Sequence, residues 1–345
     1  MPTLIDQLSV LTSLRNREEM DLCLANAVRQ RLQADEVTVA RLLGDPGDER
    51  WLIGTQLGPD EHASHADPSW IDLADLAPLD AHPTWRDAMR GACELARPAG
   101  EADDPRSEVI MPLKGSVGVI GVLRAVVDMP PTEAARADVR GLLDIYRNLV
   151  SLLDYTESDT LTGLLNRKSF DDTFYRASAL PLSLLEDGRE RRAVAPQRYW
   201  LGVVDIDHFK QVNDQHGHLI GDEVLLLLSR VMRQSFRFLD KLYRFGGEEF
   251  VVLLRCPSEE AAMSALERFR SNVQNYLFPR VERVTVSIGF TDVRSGDTPP
   301  SAVERADLAV YYAKRHGRNQ VRSHAALVRE GELTDSTQTS DVEFF

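Results

Sequence analysis

The sequence predicts an α/β protein of two domains joined by one long helix. Three observations carry this. At the start of the chain Leu4, Leu8, Leu11 and Leu14, then Met20, Leu24, Val28 and Leu32, recur at three- and four-residue steps, the period of a buried helical face. Runs rich in β-branched residues, bounded by Gly, Asp and Pro, follow in both halves. Between the halves, Pro131 to Ser158 reads as a single helix begun by Pro130-Pro131. A length of 345 residues agrees with about two domains. With 43% hydrophobic and 27% charged residues the composition is that of an ordinary soluble protein with material for a sizeable core.

The first domain is expected over residues 1–130. After its opening helices, "EVTVARLLGDPGDERWLIG" predicts a hairpin turning at Gly44 to Asp48. Residues 58–106 are irregular, apart from a helix around "PTWRDAMRGACELA". A second hairpin follows in "SEVIMPLKGSVGVIGVLRAVV", turning at Lys114-Gly115-Ser116. Helix, hairpin, irregular middle, hairpin and helix resemble a GAF-type sensory domain, which implies a small-molecule or protein signal that the sequence does not identify. His62, His65 and His82 stand in the irregular middle, where a haem or metal ligand could hide; isolated surface histidines are the better reading.

In residues 131–158, Leu142, Ile145, Leu149, Leu152 and Thr156 alternate three- and four-residue steps, which suits a parallel two-stranded coiled coil acting as a signalling linker. The alternative is an amphipathic helix packed on its own domain. At the far end, residues 324–345 are expected to form a disordered tail, since "REGELTDSTQTSDVEFF" is polar, acidic and aperiodic.

The formal net charge of −14 argues against a surface built to neutralise nucleic-acid backbones. Residues 1–150 hold 15 basic against 25 acidic side chains and residues 151–345 hold 25 against 29. An anionic ligand is therefore better placed in the second half. Cys23, Cys93 and Cys256 show neither a CxxC pair nor metal-ligand spacing, so neither a disulfide framework nor a metal centre is expected from them. No apolar run approaches the length needed to span a bilayer and the N-terminus lacks the pattern of a signal peptide. A cytoplasmic location is the expectation.

The second domain, residues 159–323, carries the chemistry. In "WLGVVDIDHFKQVND" a buried strand, Leu201 to Val204, delivers Asp205 and Asp207 to its C-terminal end, on one face because they are two apart. Such a pair calls for a cation, and hard oxygen ligands suit Mg²⁺. "YRFGGEEFVVLL" is a hairpin whose Gly246-Gly247 turn presents Glu248 and Glu249. If it lies beside the Asp205 strand, the acids form one cluster and the glycine turn lets a bulky ligand approach the backbone. Two jobs would then exist for two glutamates: holding metal and helping to deprotonate a nucleophile. "YAKRHGRN" reads as a late helical segment with Lys314 and Arg318 four apart on one face, suited to a triphosphate.

Together with "DTLTGLLNRKSFDD" and "VTVSIGFT", these segments resemble the GGDEF family of diguanylate cyclases, with the signature in the form GGEEF at Gly246 to Phe250. The resemblance covers residues 154–323. It implies a ferredoxin-like βαββαβ core, related to nucleotidyl-cyclase and polymerase palm domains, that condenses two GTP into cyclic di-GMP with release of pyrophosphate. Each domain would bind one GTP, so a homodimer is implied. On the matching positions, Asp205 and the Ile206 carbonyl would hold Mg²⁺ or Mn²⁺; Glu248 and Glu249 would supply the remaining metal carboxylate and the base, in an order left open. The amides of His208 and Phe209, with Lys210, would meet the phosphates, and Lys314 and Arg318 the outer ones. Asn213 and Asp222 match the guanine readers, a carboxylate being able to accept both N1–H and N2–H of guanine. Arg237 and Asp240 of "RFLD", with Arg268, match the family's inhibitory site for cyclic di-GMP; a surface ion pair within a helix is the alternative. The stretch 177–198 is longer than the usual link and is expected to be a surface elaboration. A catalytically idle domain serving as a cyclic di-GMP receptor, or a coiled-coil signalling adaptor, is the competing function.

Overall fold

The computed structural model describes residues 4–44, 47–58, 63–65, 75–98, 106–116, 118–178, 198–281 and 283–334. Most of the 177–198 stretch, His62 and the chain after residue 334 lie outside the described residues. The chain divides into two compact units, Met1–Thr156 and Glu157–Phe345.

In the first unit, α1 (Leu4–Ser13) and α2 (Arg17–Leu32) precede the hairpin β1 (Glu36–Leu43) and β2 (Arg50–Leu57). Short strands β3 (Ala63–His65) and β4 (Ala77–Pro78), helix α3 (Pro83–Gly91) and β5 (Leu95–Pro98) occupy the stretch expected to be irregular. The hairpin β6 (Ser107–Lys114) and β7 (Val119–Val127) and the long helix α4 (Glu133–Glu157) complete the unit. The strands form one sheet in the order β3-β2-β1-β7-β6-β5, with β4 also on β2. Alternation along the strands sorts the side chains. Val37, Val39, Val109, Met111, Leu123 and Ala125 pack beneath α1, α2 and α4, whereas Ala40, Trp51, Ile110 and Val122 meet Trp85 and Ala88 of α3.

The expected linker helix exists, but it belongs to the first unit. Val139, Leu142, Tyr146, Val150 and Leu153 of α4 are buried in that core, whereas Leu152 of the expected seam is 58% exposed. The stripe that wins is the one that reaches the sheet. Tyr146 fixes it: Arg41 donates to the Tyr146 hydroxyl at 2.6 Å and to Asp21 at 2.7 Å, and the Tyr146 hydroxyl donates to Asp21.

The second unit begins with β8 (Leu165–Asn166) and α5 (Arg167–Ser178). Then come β9 (Arg198–Ile206), α6 (Phe209–His216), α7 (His218–Ser235), β10 (Lys241–Gly246), β11 (Glu249–Cys256), α8 (Glu259–Asn275), β12 (Val286–Asp292), α9 (Pro299–Arg315), β13 (Val321–Ser323) and α10 (His324–Arg329). The sheet order is β13-β12-β9-β11-β10-β8. With β9 antiparallel to both β11 and β12, and β10 antiparallel to β11, the four central strands and their crossovers form the ferredoxin-like βαββαβ arrangement. One face, with Val204, Phe250, Val252 and Ile288, buries Val224, Leu228 and Leu266 of α7 and α8. The other lies under α9, whose approach is so close that a Cβ on Gly289 would fall 2.2 Å from the Ala306 carbonyl. Only glycine permits that contact.

The expected disorder after residue 323 fails over its first part. Ser323 caps α10 by accepting from the Ala326 amide at 3.2 Å, and His324 and Leu327 are buried. A local cap and two anchored side chains hold the largely apolar residues 324–329, which precede the polar stretch.

Candidate active site

The cross-strand register brings the predicted acids together. Asp205 on β9 stands directly opposite Glu249 on β11 and Ser287 on β12. All three face α9, and from that helix Lys314 reaches Asp205, Nζ to Oδ2 2.7 Å. Gly246 and Gly247, at φ 144° and 50°, turn the chain so that Glu248 sits beside the pair. Arg244 holds this turn by donating to the Gly247 carbonyl at 2.8 Å and to Asp159 at 3.0 Å. Burial works against the charged form of Asp159, but Thr162 and Arg244 outweigh it and hold the carboxyl below its usual range. Neither Arg244 nor Asp159 was singled out from sequence; their signal was the pairing of "DTLTG" with the arginine before the glycine turn.

Electrostatics set the acids apart. Burial raises the Asp205 carboxyl; Lys314 opposes this and Asp207 adds to it. Burial followed by the negative field of Asp205 raises Glu248 as well. A further acid joins from α9. Asp307 is pushed up to about 6 by partial burial, then by Glu249 and Asp205. No motif in the sequence marks it, although Asp307 and Lys314 are seven apart, two turns along one helix face. Beside Asp307 a cleft of about 570 Å³ opens between α5 and α9, walled by Arg167, Phe170, Phe245 and Tyr311.

Asp207 shares the face of Asp205 as expected, but it is no part of an open platform. It accepts from the Thr285 hydroxyl (2.7 Å), the Ser287 hydroxyl (2.7 Å) and the Asn319 amide (3.0 Å). Its acceptors are spent on tying β12 and the segment after α9 to β9. Asp205 differs: its Oδ1 is buried without a hydrogen-bond partner among the described residues. Such an orphaned carboxylate oxygen, with oxygen donors near it, fits a hard divalent cation. Among the described residues no three His, Cys, Asp or Glu side chains are drawn together as a ready cage. The cation that meets Asp205 here is the ammonium of Lys314.

The expected helix-face pair of Lys314 and Arg318 is corrected. α9 ends at Arg315, Gly317 takes φ 107°, and Arg318 lies in the following turn at φ 60°, its amide donating to the Ala313 carbonyl at 2.9 Å. The glycine ends the helix before its next turn, so the two cations sit on different local structures. Just past the same C-terminal end of β9 that carries Asp205, His208 takes φ 60° and starts α6. The first-turn amides of that helix, at Phe209 and Lys210, have no partner within the helix and suit anions. Asn213 on α6 and Asp222 on α7 flank the elbow between the two helices. Asn213 Oδ1 lies where a Cβ on Gly221 would be only 2.0 Å away, so a side chain at Gly221 would displace the Asn213 amide. Asp222 is exposed.

RFLD forms a turn rather than the helical ion pair held as the alternative. Asp240 accepts from the Arg237 amide at 2.9 Å. Burial raises its carboxyl, against the pull of Arg237 and Arg268, so both guanidiniums lie within electrostatic reach. Arg268 also donates to the Ser235 carbonyl at 2.8 Å.

Residues 156–320 match the family model described as "Diguanylate cyclase, GGDEF domain". Over these residues, most of the second unit, the chain is similar to that family. Among curated relatives, diguanylate cyclase DgcM of Escherichia coli K12 is 37% identical over 163 residues, which are 47% of this chain and 37% of that protein. Diguanylate cyclase DgcP of Pseudomonas aeruginosa is 39% identical over 167 residues, 48% of this chain and 23% of that protein. The chain therefore spans well under half the length of these two relatives. A solved GGDEF domain, that of DgcB from Caulobacter crescentus in complex with c-di-GMP, is 34% identical and covers 49% of this chain and 93% of that one, with a TM-score of 0.43. The matched residues contain every motif of the GGDEF domain named above. Among the described residues no helix is long and apolar enough to cross a membrane.

Proposed function

We propose that this protein is a signal-regulated diguanylate cyclase that condenses two GTP into cyclic di-GMP and two pyrophosphate. The observation that carries the reading is the Asp205–Glu249 cross-strand pair with the orphaned Asp205 Oδ1 beside it. Asp205, the Ile206 carbonyl and Glu249 would hold Mg²⁺ or Mn²⁺, which supplies Lewis-acid stabilisation of the charge developing on the phosphate. Glu248, whose carboxyl is raised, is the better proton acceptor for the ribose 3′-OH, because a base works best with a pKa nearer the working pH. The 3′-oxygen then bonds to the α-phosphorus of the partner domain's GTP, and the bond to pyrophosphate breaks. The open amides of α6 and the side chains of Lys210 and Arg318 orient the phosphates. Lys314 exchanges its Asp205 contact for a phosphate oxygen. Asn213 and Asp222 select guanine, since Asp222 accepts a donor pair that adenine lacks.

Two GTP-loaded domains must face each other, so the working form is a homodimer. The layered first unit supports a GAF-like sensory role, with α4 as the element leading to the GGDEF domain. The grouping of Arg237, Asp240 and Arg268 supports product feedback, and it alone would survive if the domain were an idle cyclic di-GMP receptor. Incubation of the full chain with GTP and Mg²⁺, with the product identified by mass, separates the readings. Cyclic di-GMP from wild type and none from Glu249→Ala or Asp205→Ala is the expected result. Binding of added cyclic di-GMP without turnover would establish the receptor instead.

A further inference from the structure

On the α3 side of the first unit's sheet lies a cavity of about 420 Å³ with an unusual floor. Glu108, 3% exposed, accepts from Arg97 Nε on β5 and, at 2.8 Å, from Arg124 Nε on β7. A carboxylate is costly to bury alone, and here both of its oxygens are spent on guanidinium groups. Arg124 also meets Glu36, at 3.3 Å. The terminal nitrogens of Arg97 have no partner among the described residues, and its side chain is 51% exposed. Glu108 thus anchors both guanidiniums by Nε and leaves the outer fork of Arg97 open. An unpaired guanidinium fork fits the two oxygens of a carboxylate.

Another part of the lining is planar and aromatic. His82 stacks on Trp85 with ring centroids 3.9 Å apart, and Trp51 meets Trp85 edge-on at 5.3 Å. Ile53 closes one side, and Thr38 adds a hydroxyl on the floor. Burial, and then the positive charge of Arg124, lower the His82 imidazole, so that ring stays neutral and adds an aromatic face rather than a second cation. A space of this volume is that of a small-molecule site and too small for a macromolecule.

We infer that this cavity binds a small organic anion with a planar apolar body, of the class of aromatic carboxylates, its carboxylate on the open fork of Arg97 and its body against the His82–Trp85 stack. The inference rests on reading the first unit as a receptor, but binding is measured without turnover, so its failure leaves the cyclase reading untouched. Calorimetric titration of the full chain uses benzoate, its neutral isostere benzamide, and inorganic phosphate. Saturable one-site binding of benzoate is expected, with benzamide and phosphate each at least tenfold weaker. Arg97→Gln should weaken benzoate at least tenfold. Ile53→Trp, which keeps both arginines and fills the space, should do the same. Benzamide binding as tightly as benzoate would show an apolar pocket with no anion site, and phosphate binding as tightly would show that the planar wall recognises nothing. Either result, an unaffected Arg97→Gln, or no saturable heat with benzoate overturns the inference.

Discussion

Replacing Lys314 by Met removes the ammonium 2.7 Å from Asp205 and keeps most of the aliphatic stem. At an effective dielectric constant near 20 the pair attracts by roughly 6 kcal/mol, most of which offsets the cost of taking the two charges out of water. The Lys314 side chain keeps 34% of its exposure, and screening at such a site brings the net contribution down to about 1–2 kcal/mol. For a unit of this length that is a fall in Tm of roughly 3–6 °C. Scanning calorimetry of the full chain in EDTA should show the loss in the transition of the second unit. Because Asp205 would be left without a cation, saturating Mg²⁺ should raise the Tm of Lys314→Met more than that of wild type. Asp205→Asn combined with Lys314→Met should cost less than the sum of the single changes. An unchanged Tm for Lys314→Met in EDTA, or strict additivity of the pair, would refute the claim that the ammonium compensates the buried carboxylate.

Asp222→Ala should lower the preference for GTP over ATP by about ten- to a hundredfold in kcat/KM, because the paired acceptor for guanine is lost; full exclusion of ATP by the variant would assign base reading elsewhere. Arg237→Ala should relieve inhibition by added cyclic di-GMP and leave initial rates near those of wild type, and equal sensitivity of both proteins would reduce RFLD to a structural turn. The Asp307 carboxyl, ordinarily at 3.8, is raised to about 6 in the folded protein. Its ionised form is therefore disfavoured by folding, and the penalty is absent below pH 3.8 and complete above 6. Asp307→Asn should match wild type in Tm near pH 4, exceed it increasingly up to about pH 6 and keep that margin above it in metal-free buffer; a difference independent of pH would count against the negative field of Glu249 and Asp205.

Much of the second unit was legible because its chemistry is written in short, local signals. Strand periodicity put Asp205 at the end of a buried strand, and Gly246-Gly247 made a hairpin that had to present Glu248 and Glu249. What a local pattern cannot report is which neighbour a side chain meets. Asp205 and Asp207 read alike in sequence, yet three donors from distant segments satisfy one and leave the other with an orphaned oxygen. Lys314 and Arg318 read as one helix face until Gly317 ended the helix between them. Asp307 carried no motif of its own; only the packing of α9 onto Gly289 brings its carboxyl into the field of Glu249. In α4 the period of apolar residues allowed two seams, and contact with the first unit's sheet selected the one through Tyr146. Sequence alone determined the element types, the turn and the identity of the acids, because these follow from backbone preferences and spacing. The charge state, partner and exposure of each acid were decided by tertiary structure, because desolvation and Coulomb interaction depend on distances that residues far apart in the chain acquire only on folding.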